Sequence, residues 1–455
     1  MHCIKGLRQA RLIGSARTFS TTSRALLQLK NVTKTGLEIE LEPGSAPVHY
    51  SNFFLRDAAS STNAIDPSTS QRYFSSGELA QDVHPKKIHV GKKEGQEDST
   101  VYSTKDTKIC QHDTDIDGLK IEWSDGFQEY YTAHFLKQYA SPEASRKRRH
   151  LAQPIHLWER KEITSALDKN EIQATWQEYQ TTEGMHKIVK ALHDYGLAFV
   201  TGLPDQNTKV VDAEDKDIGT VTAEPILVEE VGKKIGYIKE TFYGRSWDTR
   251  SVPNPKNVAY TSQYLPLHMD LLYYESPPGI QLLHVIKNQA KGGESIFTDS
   301  FASAKYVWEK NPAAYRALCE IPLTFHYIND GQHYHNTVPM IVEHQQTDKS
   351  KWTNPKAINY APPFQGPFDA VELVEGGEKC ELFREGLRLF EEHLTSAENE
   401  LRTKMDENSC VLFLNRRVLH SRTEFDAQSG VRWLKGTYLD IDAFYSKLRI
   451  LSNDS

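Results

Sequence analysis

His268 and Asp270 stand two residues apart in the run Leu267-His268-Met269-Asp270. No other feature limits the fold as much. On an extended strand, residues i and i+2 point to the same face, so an imidazole and a carboxylate at this spacing can grip one ion. Two ligands leave such a site incomplete, and the third has to come from a distant stretch. His420 answers to that: it follows the apolar run Val411-Leu412-Phe413-Leu414, a late strand, and the turn-like Asn415-Arg416-Arg417. The chain therefore has to bring residue 420 back against residue 268.

Two imidazoles and one carboxylate make the facial triad of non-haem iron(II) oxygenases. Such a triad leaves three positions open, two for a bidentate 2-oxo acid and one for dioxygen. With 18 histidines in the chain, a lone His-x-Asp is unremarkable, and the other reading is an ordinary polar pair. Arg432, twelve residues after His420, adds weight. A 2-oxo diacid needs a cation for its distal carboxylate, and arginine offers a bidentate fork.

The remaining patterning is strand-rich. Leu37-Glu38-Ile39-Glu40-Leu41 and Leu119-Lys120-Ile121-Glu122-Trp123 alternate apolar and charged residues, as half-exposed strands do. Ser124-Asp125-Gly126 is a turn. Residues 92–118 read as a polar inserted loop. Met185 to Tyr195 has helical spacing with Gly196 as its cap, and Leu197-Ala198-Phe199-Val200 reads as a buried strand. Gly279 to Ile286 is another strand, and Gly292-Gly293-Glu294-Ser295-Ile296-Phe297 is a turn entering one. Phe301 to Glu309 and residues 380–401 read as helices, the latter long and amphipathic. Gly436 to Leu439 is a last strand. The fold class is mainly β with helices (α+β), with a barrel or double-sheet core. At 455 residues the chain is long enough for two domains and a leader.

The first 37 residues carry Lys5, Arg8, Arg11, Arg17, Arg24, Lys30 and Lys34, many Ser and Thr, and no acid before Glu38. That is the composition of a mitochondrial transit peptide; the other reading is a basic tail. Arg17-Thr18-Phe19-Ser20 looks like a matrix-peptidase site, and a cut there leaves an acidic mature chain. Five scattered cysteines without a CxxC pair argue against a disulfide framework and a thiolate metal site. No run approaches the ~18–20 apolar residues of a membrane span, and a formal charge of −7 gives no footprint for nucleic acid. The division expected is 1–30 leader, 31–140 β-rich N-terminal domain, 141–170 linker and 171–455 catalytic domain.

Several runs resemble the γ-butyrobetaine/trimethyllysine dioxygenase family. They are Asn257-Val258-Ala259-Tyr260-Thr261, Leu267 to Asp270, Pro277-Pro278-Gly279-Ile280-Gln281-Leu282-Leu283-His284, Gly292-Gly293-Glu294-Ser295 and Arg432-Trp433-Leu434-Lys435-Gly436-Thr437-Tyr438. Phe54-Leu55-Arg56-Asp57 and Trp123-Ser124-Asp125-Gly126 resemble its N-terminal domain, and the likeness runs from about residue 36 to Leu451. The resemblance implies a double-stranded β-helix (jelly-roll) core, Fe(II), 2-oxoglutarate as cosubstrate, ascorbate as reductant and a homodimer. It makes His268, Asp270 and His420 the iron ligands, Arg432 the main 2-oxoglutarate anchor and Ser295 a second contact. The family's substrates bear a trimethylammonium group, which donates no hydrogen bond and is held by aromatic faces. Tyr243, Trp247, Tyr260 and Tyr438 match that cage, and Asn257 agrees with the butyrobetaine type.

The chain departs from the family twice. The positions that hold structural zinc there carry Ala59, Ser61, Ala64 and Phe127, so zinc is not expected. The positions that meet the substrate carboxylate carry Leu271 and Ala361. The cysteine-less N-terminal module resembles a divergent fungal mitochondrial branch. The expected activity is hydroxylation of γ-butyrobetaine to L-carnitine; the alternatives are trimethyllysine, another small molecule, or a non-catalytic mitochondrial paralogue.

Overall fold

Strand Ile280–Asn288 is buried along nearly its whole length, including both its alternating faces. An extended segment with no exposed face belongs in the middle of a covered sheet, and that is its position. The computed structural model describes residues 27–91, 100–103, 107–111, 118–150, 155–210, 220–250, 261–344 and 350–453. The chain divides into two units, Met1–Ala152 and Gln153–Ser455. The transit-peptide reading falls almost wholly on residues outside those described, as do Asn257 and Tyr260.

The first unit holds a three-stranded sheet of β1 (Gln28–Val32), β2 (Gly36–Glu40) and β3 (Val48–Ser51). Its second sheet contains β4 (Pro85–Val90), β5 (Thr100–Ser103), β6 (Lys108–Gln111), β7 (Gly118–Trp123) and β8 (Gln128–Thr132), in the order β5-β6-β4-β7-β8. The two alternating segments are β2 and β7, and their inward residues Leu37, Ile39, Leu119, Ile121 and Trp123 are buried in one core. Strands β5 and β6 lie inside the stretch read as a polar loop. β5 is the edge strand and β6 pairs between it and β4; both are four-residue strands, too short to set up a clear alternation. Near Ser61 and Phe127, Glu129 accepts the N–H groups of Ser60 and Ser61, both at 3.0 Å. The Arg56 guanidinium lies 4.0 Å from the centre of the Phe127 ring and bonds Asp125 at 2.8 Å.

In the second unit six strands form the larger sheet: β9 (Gln173–Thr175), β10 (Leu197–Thr201), β11 (Ser246–Arg250), β13 (Ile280–Asn288), β18 (Ser409–Leu414) and β20 (Arg432–Leu439). Their order is β11-β20-β13-β18-β10-β9. The smaller sheet has β12 (Leu265–His268), β14 (Ser295–Asp299), β17 (Leu401–Thr403) and β19 (Val418–Arg422), in the order β12-β19-β14-β17. A hairpin of β15 (Pro322–Asn329) and β16 (Gln332–Pro339) stands apart, turned by Asp330-Gly331 with both residues at positive φ. From β12 onward the chain steps back and forth between the two larger sheets, as a jelly-roll does.

The sheets meet through aromatic rings. Phe297 lies 5.6 Å from Phe413 and 6.4 Å from Phe199, centre to centre. Removing one such ring costs about 3–5 kcal/mol. The helix Thr182–Tyr195 begins at Thr181, whose side chain accepts the Gly184 N–H, and ends at Gly196 with φ 74°. The long late helix spans Glu378–Leu394 and stops short of 401, because the Asn399 amide donates to the His393 carbonyl at 2.6 Å and the chain turns into β17. The stretch 141–170 contains helices Pro142–His150 and Arg160–Asp168. No helix among the described residues is long and apolar enough to cross a membrane.

Candidate active site

The ladder between β12 and β19 pairs His268 directly with His420. Their imidazole rings consequently sit side by side, 4.2 Å between centres. The His268 Nδ1 lies 2.8 Å from the Pro266 carbonyl, which can only accept, so Nδ1 is the donor there, and Nε2 faces Asp270 at 3.2 Å. Asp270 is not on the strand. β12 ends at His268, and Asp270 opens the turn that follows. Its carboxylate nevertheless reaches the imidazoles: one ligand atom from each of His268, Asp270 and His420 lies within 4.8 Å of the other two.

Burial opposes charge on Asp270, but His268, His420 and the Tyr438 hydroxyl outweigh it and hold the carboxyl below the usual range. That hydroxyl donates to Asp270 Oδ2 at 2.7 Å. Burial, with help from His268, pushes His420 down to about 3, so the ring is neutral and its lone pair free to ligate. His420 Nδ1 is buried without a hydrogen-bond partner. Two buried imidazoles beside a half-buried carboxylate fit a divalent first-row metal.

The same cavity is lined by Ser295, Trp247 and Arg432. Arg432 opens β20 and is 8 % exposed. Its Nε has no hydrogen-bond partner among the described residues, and burial, with Arg422 nearby, pushes the guanidinium down to about 9. Gly293, at φ 70°, makes room for it: a Cβ there would lie 3.0 Å from Arg432 Nε. Ser295 is buried on β14, across the ladder from Arg422.

Trp247 on β11 lies over Gly436, its partner on β20, where any Cβ would come within 2.5 Å of the indole. Trp247 stacks on Tyr438 at 4.0 Å, and Tyr243 lies 6.4 Å from Trp247. Three of the four expected cage rings thus gather beside the triad. The stacked pair leaves no space for a cation between those two rings. Leu271 and Ala361 are buried in the aromatic cluster that also contains Tyr273 and Phe325.

The family model for taurine catabolism dioxygenases, TauD and TfdA, matches residues 159–438, a span that contains the whole constellation. The chain belongs to the TauD/TfdA dioxygenase family. It is accordingly an Fe(II)- and 2-oxoglutarate-dependent dioxygenase. Among its curated relatives, the dioxygenase str8 of Strobilurus tenacellus is 31 % identical over 88 % of this chain and 84 % of its own. A γ-butyrobetaine dioxygenase of Pseudomonas is 27 % identical over 89 % and 91 %. The mitochondrial trimethyllysine dioxygenase of Rattus norvegicus is 25 % identical over 91 % and 85 %.

Three residues of this dioxygenase site were not singled out from the sequence. Arg422 lines the cavity and donates to the carbonyls of Thr261 at 2.9 Å and Gln263 at 2.6 Å. Its only sequence signal is a place two residues after His420. Gln281 also lines the cavity, and its Oε1 is buried without a partner. A polar residue inside the apolar run Gly279–Ile286 was the available signal. Asn415 touches Asp270 directly, and nothing in its local sequence marks it.

Proposed function

We propose that the chain hydroxylates a small molecule bearing a trimethylammonium group, γ-butyrobetaine first and trimethyllysine second. The observation that carries this reading is the gathering of Tyr243, Trp247 and Tyr438 beside the His268–Asp270–His420 triad. A quaternary ammonium finds its attraction in the negative faces of such rings. Two relatives bear the names of these activities. In this reading His268, Asp270 and His420 hold the iron. The Arg432 fork pairs with the distal carboxylate of 2-oxoglutarate, and the Ser295 hydroxyl adds a hydrogen bond. When bound, iron with 2-oxoglutarate and dioxygen supplies the oxidising power, one oxygen atom going to the substrate carbon and the other to succinate as carbon dioxide leaves. The protein's contribution is position: the rings hold the cation so that one C–H bond faces the metal, and the buried pocket keeps water from it. Tyr438 serves both ends, with its ring on Trp247 and its hydroxyl on Asp270.

Ascorbate acts as reductant, the working form is a homodimer, and the site of action is mitochondrial, as the basic leader and the rat relative's name support. The test uses purified protein with Fe(II), ascorbate, 2-oxoglutarate and each betaine, followed by succinate release. Stimulation by γ-butyrobetaine or trimethyllysine is the expected result; no stimulation by any trimethylammonium compound overturns the reading. Leu271 and Ala361 favour a second reading, in which a different small molecule is hydroxylated. Both are apolar and buried, so neither can partner a substrate carboxylate. That reading predicts succinate release with another substrate and little with γ-butyrobetaine.

A further inference from the structure

Asp270 reaches the triad from an awkward place. It follows the end of β12, so no strand partner takes up its backbone groups. The next residue, Leu271, has φ 57°, a left-handed conformation that costs an L-residue roughly 1–2 kcal/mol. Backbone in that state stays put only when its surroundings over-determine it. One fully buried side chain does so here. Asn415 Oδ1 accepts the Asp270 N–H at 2.9 Å, and Asn415 Nδ2 donates to the Asp270 carbonyl at 2.9 Å and to the Pro278 carbonyl at 3.1 Å. A primary amide has two donors and one acceptor group, and all are engaged. The backbone N–H of Asn415 also donates to Gly279 at 3.0 Å.

The place of Asn415 in the chain gives this clamp its meaning. It heads the turn between β18 and β19, five residues before His420. The same residue is thus fixed to the strand pair that carries one imidazole and to the backbone of the carboxylate. Its second donor closes the 271–278 loop by tying Pro278 to Asp270. We propose that Asn415 is the positioning residue that sets the Asp270 carboxylate against His268 and His420, and so sets the affinity of the site for its metal. The proposal rests on the metal reading of the triad. Partners that orient metal ligands typically change metal affinity 10–100-fold when removed.

The test measures Mn(II) binding to the full-length apoprotein by equilibrium dialysis, alongside thermal unfolding. Asn415→Leu keeps the branched four-atom outline of the side chain and removes all three side-chain bonds. Asn359→Leu is the control: Asn359 is equally buried and holds the same turn by accepting from Arg416 at 2.6 Å and donating to Pro339 at 2.7 Å, without touching Asp270. Both variants lower the unfolding temperature. Only Asn415→Leu weakens Mn(II) binding tenfold or more, while Asn359→Leu stays within about threefold of the parent. Should Asn415→Leu fail to fold, Asn415→Asp is measured in its place; it keeps an acceptor for the Asp270 N–H, loses both donors, and is expected to weaken Mn(II) at least tenfold. Parental affinity in the Asn415 variant, or an equal loss in Asn359→Leu, overturns the positioning role. His268→Ala separates the two ideas: if it binds Mn(II) as tightly as the parent, or the parent binds none, the metal reading itself falls and takes the proposal with it.

Discussion

Arg417 and Arg432 are both buried, lie fifteen residues apart and flank the same histidine, yet they are in opposite states. Arg417 is saturated. Its Nε and Nη2 donate to the two oxygens of Asp299 at 3.1 and 2.9 Å, and its remaining N–H groups go to the carbonyls of His193, Asp194 and His156. Arg432 has no carboxylate partner among the described residues, and its Nε is unpaired. A saturated buried arginine binds the protein to itself: Arg417 joins the helix Thr182–Tyr195, the 156 segment and the end of β14. An unsaturated one holds a desolvated charge at a cost that a ligand anion would relieve. The same side chain is a rivet in one place and, in the function proposed above, a receptor in the other, and the difference lies in what surrounds it.

Opposite responses to removal follow. Arg417→Met strands Asp299 as a fully buried carboxylate without a counter-charge, and should cost about 3–5 kcal/mol in urea unfolding. A loss below about 1 kcal/mol would break the comparison. Arg432→Met should leave the unfolding midpoint unchanged or raised, because an unpaired buried charge disappears, while 2-oxoglutarate binding weakens by about 3 kcal/mol, roughly a hundredfold, in a titration of the metal-loaded protein. Unaltered 2-oxoglutarate affinity would remove Arg432 from the site. Ser295→Ala, which deletes one hydroxyl in the same cavity, should weaken 2-oxoglutarate about fivefold, near 1 kcal/mol.

His284 sharpens the contrast from the other side. It is fully buried on β13, on the face away from Gln281, with neither ring nitrogen paired, and burial pushes it down to about 4. The unfolded chain binds the proton with a pKa near 6.5, so between about pH 6.5 and 4 it takes up more protons than the folded one. Stability therefore falls as pH drops through that window. His284→Leu should recover about 1 kcal/mol of the fall at pH 5.5, read from unfolding at pH 5.5 and 7.5. Equal falls in parent and variant would show that other groups carry the acid limb.

Much of the core was legible in residue order. The period-2 alternation of Leu37–Leu41 and Leu119–Trp123 became β2 and β7. The mostly apolar run from Gly279 became the central strand β13, because a strand covered on both faces need not alternate. Gly196 marked a helix end through the one backbone conformation that glycine takes most readily. The strands β5 and β6 were illegible, since four residues each are too few to show a period and their pairing rests on backbone hydrogen bonds. The early end of the late helix was illegible too, since it rests on Asn399 folding back onto His393.

The site divides along the same line. Residue order offered His, Asp and Arg at workable spacings for a metal and a 2-oxo acid, and the family resemblance picked out which of the 18 histidines to propose. It placed His268 on a strand and His420 beyond a late strand and turn, and the ladder between them brought the two together. Only the tertiary structure decided that Asp270 leaves the strand and is held by a distant amide, that Tyr438 bonds the carboxylate while stacking on Trp247, and that Arg432 stays unpaired while Arg417 is saturated. Each of these depends on which hydrogen-bonding groups share a buried space. A local sequence pattern cannot express that, because the partners lie up to 261 residues apart along the chain.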